Sequence, residues 1–478
     1  MNGTHTPRHG SLTALALVVC AGCAVGPDYA RPELAAPDRW NAADAAFPAA
    51  PPDLTGWWRK LGAPQLDELV ASALTANLDL RAATARIREA RAAAGIADAG
   101  RLPQLDGTAG YTRQRTTEAT PSPVRGREFD TWTLGFDASW EIDLFGRIAR
   151  EREAAGADVD AARADADVVR VTLVAEVVAA YAELDGATRR RAVAAASVAA
   201  AADLVALTRA RTESGVGNDL DTARAERLLA AAQARLPAQD RDRTRAAHRL
   251  AVLVGRAPGE LVASLDDATP LAPVPDVVAI GLPAELVRHR PDVVAAERDL
   301  HAATARLGVA LAERFPRITL GGFFGLESDR AGDLLRSSSR AFRGGPTVRL
   351  PLYTGGGVGA RIAVQEARIE AAAVELEHRV LRAFEEVENA VDGLQHERRR
   401  FADLGVAVAA AERSRGFAQQ RFDAGLDDFL AVLEAEQSRL DLADQLAQSS
   451  TELVRLYVAL HKALGGAPLG VTPTAAAG

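Results

Sequence analysis

The segments LFGRIARERE at 144–153 and TRARTESGVGNDLD at 208–221 bracket the stretch of sequence that decides the fold. No proline occurs from Arg147 to Ser214, and Ala, Arg, Glu, Leu and Val, most of which favour helix, dominate there. At about 1.5 Å per residue, this stretch predicts a helix of roughly 100 Å. The run GVGN at 215–218 ends it, and Asp219 or Asp221 is expected to cap a second, returning helix.

The second half of the chain repeats the first. DLRAATAR at 79–86 recurs as DLHAATAR at 299–306, and RLPQL at 101–105 recurs as RFPRI at 314–318. The sequence RTESGVGNDL at 211–220 recurs as RFDAGLDDFL, 210 residues later. A period of about 210 residues is too long for a solenoid repeat. The matches therefore predict two homologous halves, each containing a helix, a strand pair and a long helical hairpin.

Composition excludes several functional classes. Acidic residues outnumber basic residues by 64 to 56, which argues against a nucleic-acid-binding protein. The only cysteines, Cys20 and Cys23, lie close to the amino terminus, and the eight histidines lack the i, i+4 spacing of a helical zinc site. We therefore expect no metal, no cofactor and no thiol chemistry in the body of the chain.

The first residues are typical of a bacterial lipoprotein signal. An apolar run from Leu12 to Val19 precedes the small pair Ala21-Gly22 and then Cys23, although Cys20 stands where Leu or Val is usual. Lipidated Cys23 would anchor the chain by burying acyl chains in a membrane. The alternative is an ordinary secretory signal that ends near Ala24.

Alternation with a period of two marks the segment FDTWTLGFDASW at 129–140, and similar patterns follow at 318–326 and 342–352. Aromatic residues at both ends of an apolar side are typical of a transmembrane barrel strand, although a soluble sandwich strand alternates in the same way. The long helices and the secretion signal favour the membrane. The residues predicted to face lipid are Trp132, Leu134, Phe136, Trp140, Leu320, Phe324, Val348 and Leu350.

The strands form one hairpin in each half, near 103–116 with 129–141 and near 316–327 with 341–352. Four strands cannot close a membrane barrel, because the smallest have eight and open edges are not tolerated in lipid. The barrel must therefore be shared between subunits.

Glycines are predicted to form the corners where strands become long helices. TGGGVGAR at 354–361 lacks the GK[ST] of a phosphate-binding loop, and its equivalent in the first half is Phe145-Gly146-Arg147. In the returning helix, Pro237 is expected to cause an interruption.

Several longer words carry a resemblance to a known family. They are GPDY at 26–29, WWRKLG at 57–62, WEIDLFGR at 140–147, LAVLVG at 250–255 and LPAELVRHRPDVVAAERDL at 282–300. The chain resembles the outer-membrane factor family, the TolC-like exit ducts of tripartite pumps, and in particular its lipoprotein (NodT) branch of drug-efflux ducts.

The resemblance implies a mainly α-helical homotrimer. Its twelve-stranded β-barrel would lie in outer-membrane lipid and continue as an α-helical barrel across the periplasm. The implied partners are a periplasmic adaptor protein and an inner-membrane RND transporter. The implied segments are a signal peptide (1–22), an amino-terminal arm and equatorial region (23–64), a first repeat (65–255), an equatorial linker (256–290), a second repeat (291–465) and a tail (466–478).

The function expected is a passive exit duct for drugs and other small toxic compounds, with a type I protein-secretion duct as the alternative. An enzyme would need a catalytic cluster, and the acidic pair Glu385-Glu386 lies in an ordinary helix where adjacent side chains point apart. A periplasmic coiled-coil spacer would have no use for lipid-facing tryptophans.

Both helical hairpins end in tips that the resemblance assigns to adaptor docking: Gly215, Val216 and Gly217 in one, and Gly425 and Leu426 in the other. Just past the tips lie candidate gate residues, namely Asp219, Asp221, Asp427 and Asp428. Each could equally be a helix cap. In a trimer, Asp427 would give three converging carboxylates, whose repulsion needs bound cations, hydrogen bonds or a raised pKa.

Overall fold

A computed structural model describes residues 24–42, 44–119 and 126–466. Helices dominate, and the long helix predicted from Arg147 is confirmed as 67 residues. The principal helices are α1 (Pro64–Ala76), α2 (Leu78–Ala99), α3 (Arg147–Glu213), α4 (Asp219–Leu253), α5 (Pro283–His289), α6 (Pro291–Ala312), α7 (Gly357–Asp423) and α8 (Phe429–Ala463). The strands are β1 (Gln104–Arg115), β2 (Glu128–Ile142), β3 (Arg317–Ser328) and β4 (Arg340–Arg349).

The lengths of these elements confirm the internal duplication. Helices α3 and α7 both have 67 residues, α4 and α8 both have 35, and each pair is separated by 210 positions. Helices α2 and α6 both have 22 residues but are 213 positions apart. The match of DLRAATAR to DLHAATAR, which has an offset of 220 residues, therefore does not pair structurally equivalent positions. It is displaced by seven residues, or about two helical turns, and such a shift returns the same apolar face.

The four strands form one antiparallel sheet in the order β1-β2-β3-β4. The two hairpins are joined by the pairing of β2 with β3, in which Trp140 lies opposite Leu320 and Phe136 lies opposite Phe324. Strand β4 ends at Arg349, so Leu350 lies just beyond the sheet. Among the residues that the structure describes, strands β1 and β4 each leave one edge unpaired.

The chain divides into two compact units. The first comprises the described residues up to Pro32, Arg86–Arg163 and Ala295–Leu376, and it contains the sheet. The second comprises Glu33–Ala85, Ala164–Val294 and the described residues from Glu377 onward. Each has its own apolar packing: Leu307, Ala310, Val358 and Ile362 pack together in the first, and Leu204, Val205, Leu228, Phe429 and Val432 in the second.

Glycines form the strand-to-helix corners, as predicted. Gly146 has φ +77° immediately before α3, and Gly356 has φ +85° immediately before α7. Pro237, in contrast, does not interrupt its helix, because α4 is continuous from Asp219 to Leu253. A proline removes one backbone donor, and apolar packing of residues such as Leu228 and Leu250 outweighs that local loss.

Candidate functional site

One face of the sheet is apolar and exposed. Cross-strand pairing places Phe136, Phe324 and Phe342 in one row across three strands, with 54%, 67% and 87% of their surfaces exposed. Seven of the residues predicted to face lipid belong to this face: Trp132, Leu134, Phe136, Trp140, Leu320, Phe324 and Val348. An apolar surface of this extent on a water-soluble monomer would be unusual. It is suited to contact with hydrocarbon.

The opposite face is mainly polar, but it carries two phenylalanines, Phe129 and Phe323, of which only Phe323 is buried. Phe323 is 4% exposed, and the Arg343 guanidinium lies 4.2 Å from the centre of its ring. A Cβ atom at Gly135 would lie 2.7 Å from the Phe323 ring, and one at Gly325 would lie 2.4 Å from the carbonyl oxygen of Leu134. The glycines therefore make room for the ring. Sequence alternation missed this residue, and the paired glycines were the available signal.

The segment that follows Cys23 is bound at the corner between β2 and α3. Cys23 itself lies outside the described residues. The Val25 N–H donates to the Phe145 carbonyl at 3.0 Å, and the Arg150 guanidinium donates to the Asp28 carboxylate at 2.6 Å and to the Gly26 carbonyl at 3.2 Å. An anchor attached just before Ala24 would therefore lie beside the end of the sheet.

The first helical tip closes with a glycine turn. Gly215 has φ +72°, and the Val216 N–H donates to the Arg211 carbonyl at 3.0 Å, which satisfies a carbonyl at the end of α3. The prediction that Asp219 or Asp221 caps α4 is wrong, because the cap is Asn218. Asn218 Oδ1 accepts from the Asp221 N–H at 2.9 Å, and Asp221 in turn accepts from Asn218 Nδ2.

The second tip repeats this geometry with different polar residues. Gly425 has φ +70°, and the Leu426 N–H donates to the Arg421 carbonyl at 2.8 Å. Asp428 caps α8 by accepting from the Ala431 N–H at 3.2 Å. Val216 and Leu426 expose 70% and 68% of their surfaces at the two ends.

Asp427 is not a cap. Its carboxylate accepts two hydrogen bonds from the Arg421 guanidinium, at 2.5 and 2.9 Å. These hydrogen bonds lower the pKa of Asp427 below the usual range. Of the three ways to relieve repulsion among converging carboxylates, the structure therefore provides hydrogen bonds within each copy. Asp221 and Asp428 take part in the caps of α4 and α8 instead, and Asp219 is an acidic residue in the first turn of α4.

A buried arginine that the sequence did not single out fixes the joint between α5 and α6. Arg290 forms a fork on Asp292 at 2.8 and 3.0 Å, pairs with Glu386 and donates to the Ala463 carbonyl at 3.0 Å. Both Glu385 and Glu386 are exposed, and Glu386 is an ion-pair partner of Arg290. Across residues 24–42, 44–119 and 126–466, no group of three His, Cys, Asp or Glu side chains is placed to hold a metal ion.

Comparison with known proteins matches almost the whole chain. The model of the family described as "Outer membrane efflux protein" matches residues 69–256 and 282–466. Nodulation protein T of Rhizobium leguminosarum bv. trifolii is 30% identical, with 96% of this chain and 97% of that protein covered. Outer membrane protein OprJ of Pseudomonas aeruginosa is 31% identical, with 96% of each chain covered.

Solved structures agree with the sequence relatives. The outer-membrane channel OprN superposes with a TM-score of 0.88 at 36% identity, over 93% of this chain and 99% of that one. The open state of the Neisseria gonorrhoeae MtrE outer membrane channel gives a TM-score of 0.81 at 27% identity, over 93% of this chain and 98% of that one.

Proposed function

The chain belongs to the outer membrane efflux protein family, and on that premise we propose that three copies form the passive exit duct of a tripartite pump. The family consists of efflux channels and not of enzymes. Small toxic compounds are the proposed cargo, because relatives include "Solvent efflux pump outer membrane protein SrpC" and "Toluene efflux pump outer membrane protein TtgI", both of Pseudomonas putida. These names favour small-molecule efflux over type I protein secretion.

The four-stranded sheet is the observation that carries this proposal. It has one exposed apolar face, one polar face and two unpaired edges. A membrane-spanning sheet must close so that no edge meets lipid. Three copies give twelve strands, an even number of at least eight, as barrels of this type require. The apolar face then meets lipid and the polar face lines water.

We further propose that Cys23 is acylated and anchors each copy to the outer membrane. The contacts of Val25, Gly26 and Asp28 support this assignment, since they hold residues 25–28 at the base of the sheet. The proposal predicts that the mature protein begins at an acylated Cys23 and purifies in detergent as a trimer. Intact-mass and native mass spectrometry test both points. A soluble, unacylated monomer would contradict both.

The two tips are proposed to dock a periplasmic adaptor, which in turn contacts an inner-membrane RND transporter. Val216 and Leu426 are exposed apolar side chains on glycine turns of the same geometry, so the two halves present a repeated surface. Such a surface suits an adaptor that binds six equivalent positions around a trimer.

We propose that the Arg421–Asp427 pair constricts the resting pore. The lowered pKa of Asp427 keeps its carboxylate charged at neutral pH. Stability from such a pair is present above the ordinary carboxyl range and is lost only as pH falls through the lowered value. Asp427→Ala should therefore raise single-channel conductance at pH 7, whereas Asp428→Ala removes only a cap and is the matched control. Equal conductance of Asp427→Ala and the parent would contradict this gate.

A further inference from the structure

The two free edges of the sheet carry like-charge pairs of opposite sign. On β1, Asp106 lies directly opposite Asp137 of β2. On β4, Arg349 lies directly opposite Arg317 of β3. Like charges in directly opposite positions destabilise a sheet unless another charge relieves them. A negative pair therefore borders one edge, and a positive pair borders the other.

Three of these four charges lack a partner among the described residues, and the fourth has only a long contact. Asp106, Asp137 and Arg349 make no side-chain hydrogen bond or ion pair to any residue that the structure describes. Arg317 is 3.7 Å from the Glu141 carboxylate, which already holds the Arg147 fork at 2.9 and 3.1 Å. Asp106 and Arg349, the two members on the edge strands, therefore remain available to a partner beyond the sheet edge.

All four residues lie on the polar face and near the same end of the sheet. The row through Asp106 crosses Asp137, Phe323 and Arg343, which belong to the polar face. Arg349 is six positions from Arg343 on the same strand, so it points to that face as well. The acidic pair lies near the start of β1 and the basic pair at the end of β4, and both positions adjoin the helices.

Strand stagger brings the two edges into register when copies join. The row that begins at Gln104 reaches Gly345, and β4 continues four residues beyond it to Arg349. At the other end, Arg340 lies on the row of Ala109, six residues short of the end of β1. The ends of β4 are thus offset from those of β1 by four to six residues over three inter-strand steps. A fourth step, onto the next copy, extends this to roughly five to eight residues, as the fixed shear of a closed barrel requires.

We infer that Arg349 of each copy lies opposite Asp106 of the next copy, which corresponds to a stagger of six residues. Only even staggers keep the polar faces together, because adjacent residues of a strand point to opposite faces. At a stagger of six residues, Arg349 on the basic edge meets Asp106 on the acidic edge of the next copy. This inference rests on the proposed trimer and specifies its joints. The two charge pairs then set the register of each joint against slippage.

Disulfide cross-linking tests the register directly. The variant Asp106→Cys with Arg349→Cys should form a covalent trimer on oxidation, because directly opposite Cβ atoms are close enough for a disulfide. The two sites cannot join within one chain, since three inter-strand steps of about 4.8 Å separate them. The matched controls are Gln104→Cys and Thr108→Cys, each with Arg349→Cys. These represent staggers of four and eight residues, and the parent chain controls for Cys23.

The inference predicts that the 106–349 pair cross-links faster and more completely than either control pair. Preferential cross-linking of 104–349 or 108–349 in a protein that still forms trimers would overturn the register and leave the proposed duct intact. A protein that remains a monomer before oxidation would instead contradict the proposed function. The two failures are therefore distinguishable.

Charge reversal provides a second test that does not depend on disulfide geometry. Asp106→Arg and Arg349→Asp each place two like charges at every joint, but each also removes a like-charge pair within the copy. The coupling between the two changes is therefore the test: the double variant should dissociate in detergent at a higher temperature than the sum of the two single effects predicts. Additive effects in the double variant would contradict a direct pair.

Discussion

Replacing Gly425 with valine separates backbone strain from side-chain clash at a helical tip. Gly425 has φ +70°, a region that L-residues rarely occupy, and a Cβ atom there would meet no other atom within 4 Å. The cost is therefore purely conformational. It is about 1 kcal/mol for alanine and about 2 kcal/mol or more for a β-branched residue, while asparagine tolerates the region best.

This conformational cost should weaken adaptor binding, because the tip must either keep the strained turn or change its shape. A loss of 1 to 2 kcal/mol corresponds to roughly 5- to 30-fold weaker binding. Affinity for the periplasmic adaptor, measured by surface plasmon resonance on purified trimer, should fall in the order Gly, Asn, Ala, Val. Gly416 is the matched control, since it lies in α7 near this tip, without positive φ and with open space around it.

Gly416→Ala should leave adaptor affinity unchanged and stabilise α7 slightly, because alanine favours helix. A Gly425→Val variant that binds the adaptor and supports drug resistance as the parent does would show that backbone strain at this tip does not affect docking. An asparagine variant that binds the adaptor as weakly as the valine variant would show the same.

Gly325→Ala should lower the stability of the protein by about 1–3 kcal/mol, because the added methyl group disrupts the packing around Phe323. The melting temperature of the trimer should fall accordingly. Gly321→Ala is the control and should be tolerated, because a Cβ atom there meets no atom within 4 Å. Arg290→Ala should reduce the free energy of unfolding by about 2 kcal/mol, because it leaves the half-buried Asp292 carboxylate and the carbonyl of buried Ala463 without their donor; an unchanged urea midpoint would refute this. Burial lowers the pKa of His461 to about 4, so the unfolded chain gains a proton near pH 6.5 that the fold excludes. Stability should therefore fall from about pH 6.5 towards 4, and His461→Phe should flatten that decline in melting temperature.

The sequence was sufficient to predict features that depend on local chemistry. A proline-free run predicted α3, and glycines predicted the corners at Gly146 and Gly356, because helix propensity and positive φ belong to individual residues. Period-two alternation predicted the apolar face of the sheet for the same reason. The internal repeat then predicted α7.

Features that depend on distant partners could not be predicted. Several neighbouring polar residues could cap α4, and only the folded turn selects Asn218 over Asp219. Asp427 looked like a free carboxylate because its partner, Arg421, comes within reach only when the glycine turn folds the chain back. Arg290 meets Ala463 from 173 residues away, a contact that no local pattern encodes.

Cysteine accessibility at two adjacent residues of β4 tests most directly whether the sheet lines a water-filled pore through lipid. Thr347 belongs to the polar face and Val348 to the apolar face. In planar bilayers, a bulky, water-soluble thiol reagent should reduce the single-channel conductance of a Thr347→Cys trimer and leave that of a Val348→Cys trimer unchanged, with the parent as control. Block at position 348, or equal modification at both positions, would contradict an exit duct built from this sheet.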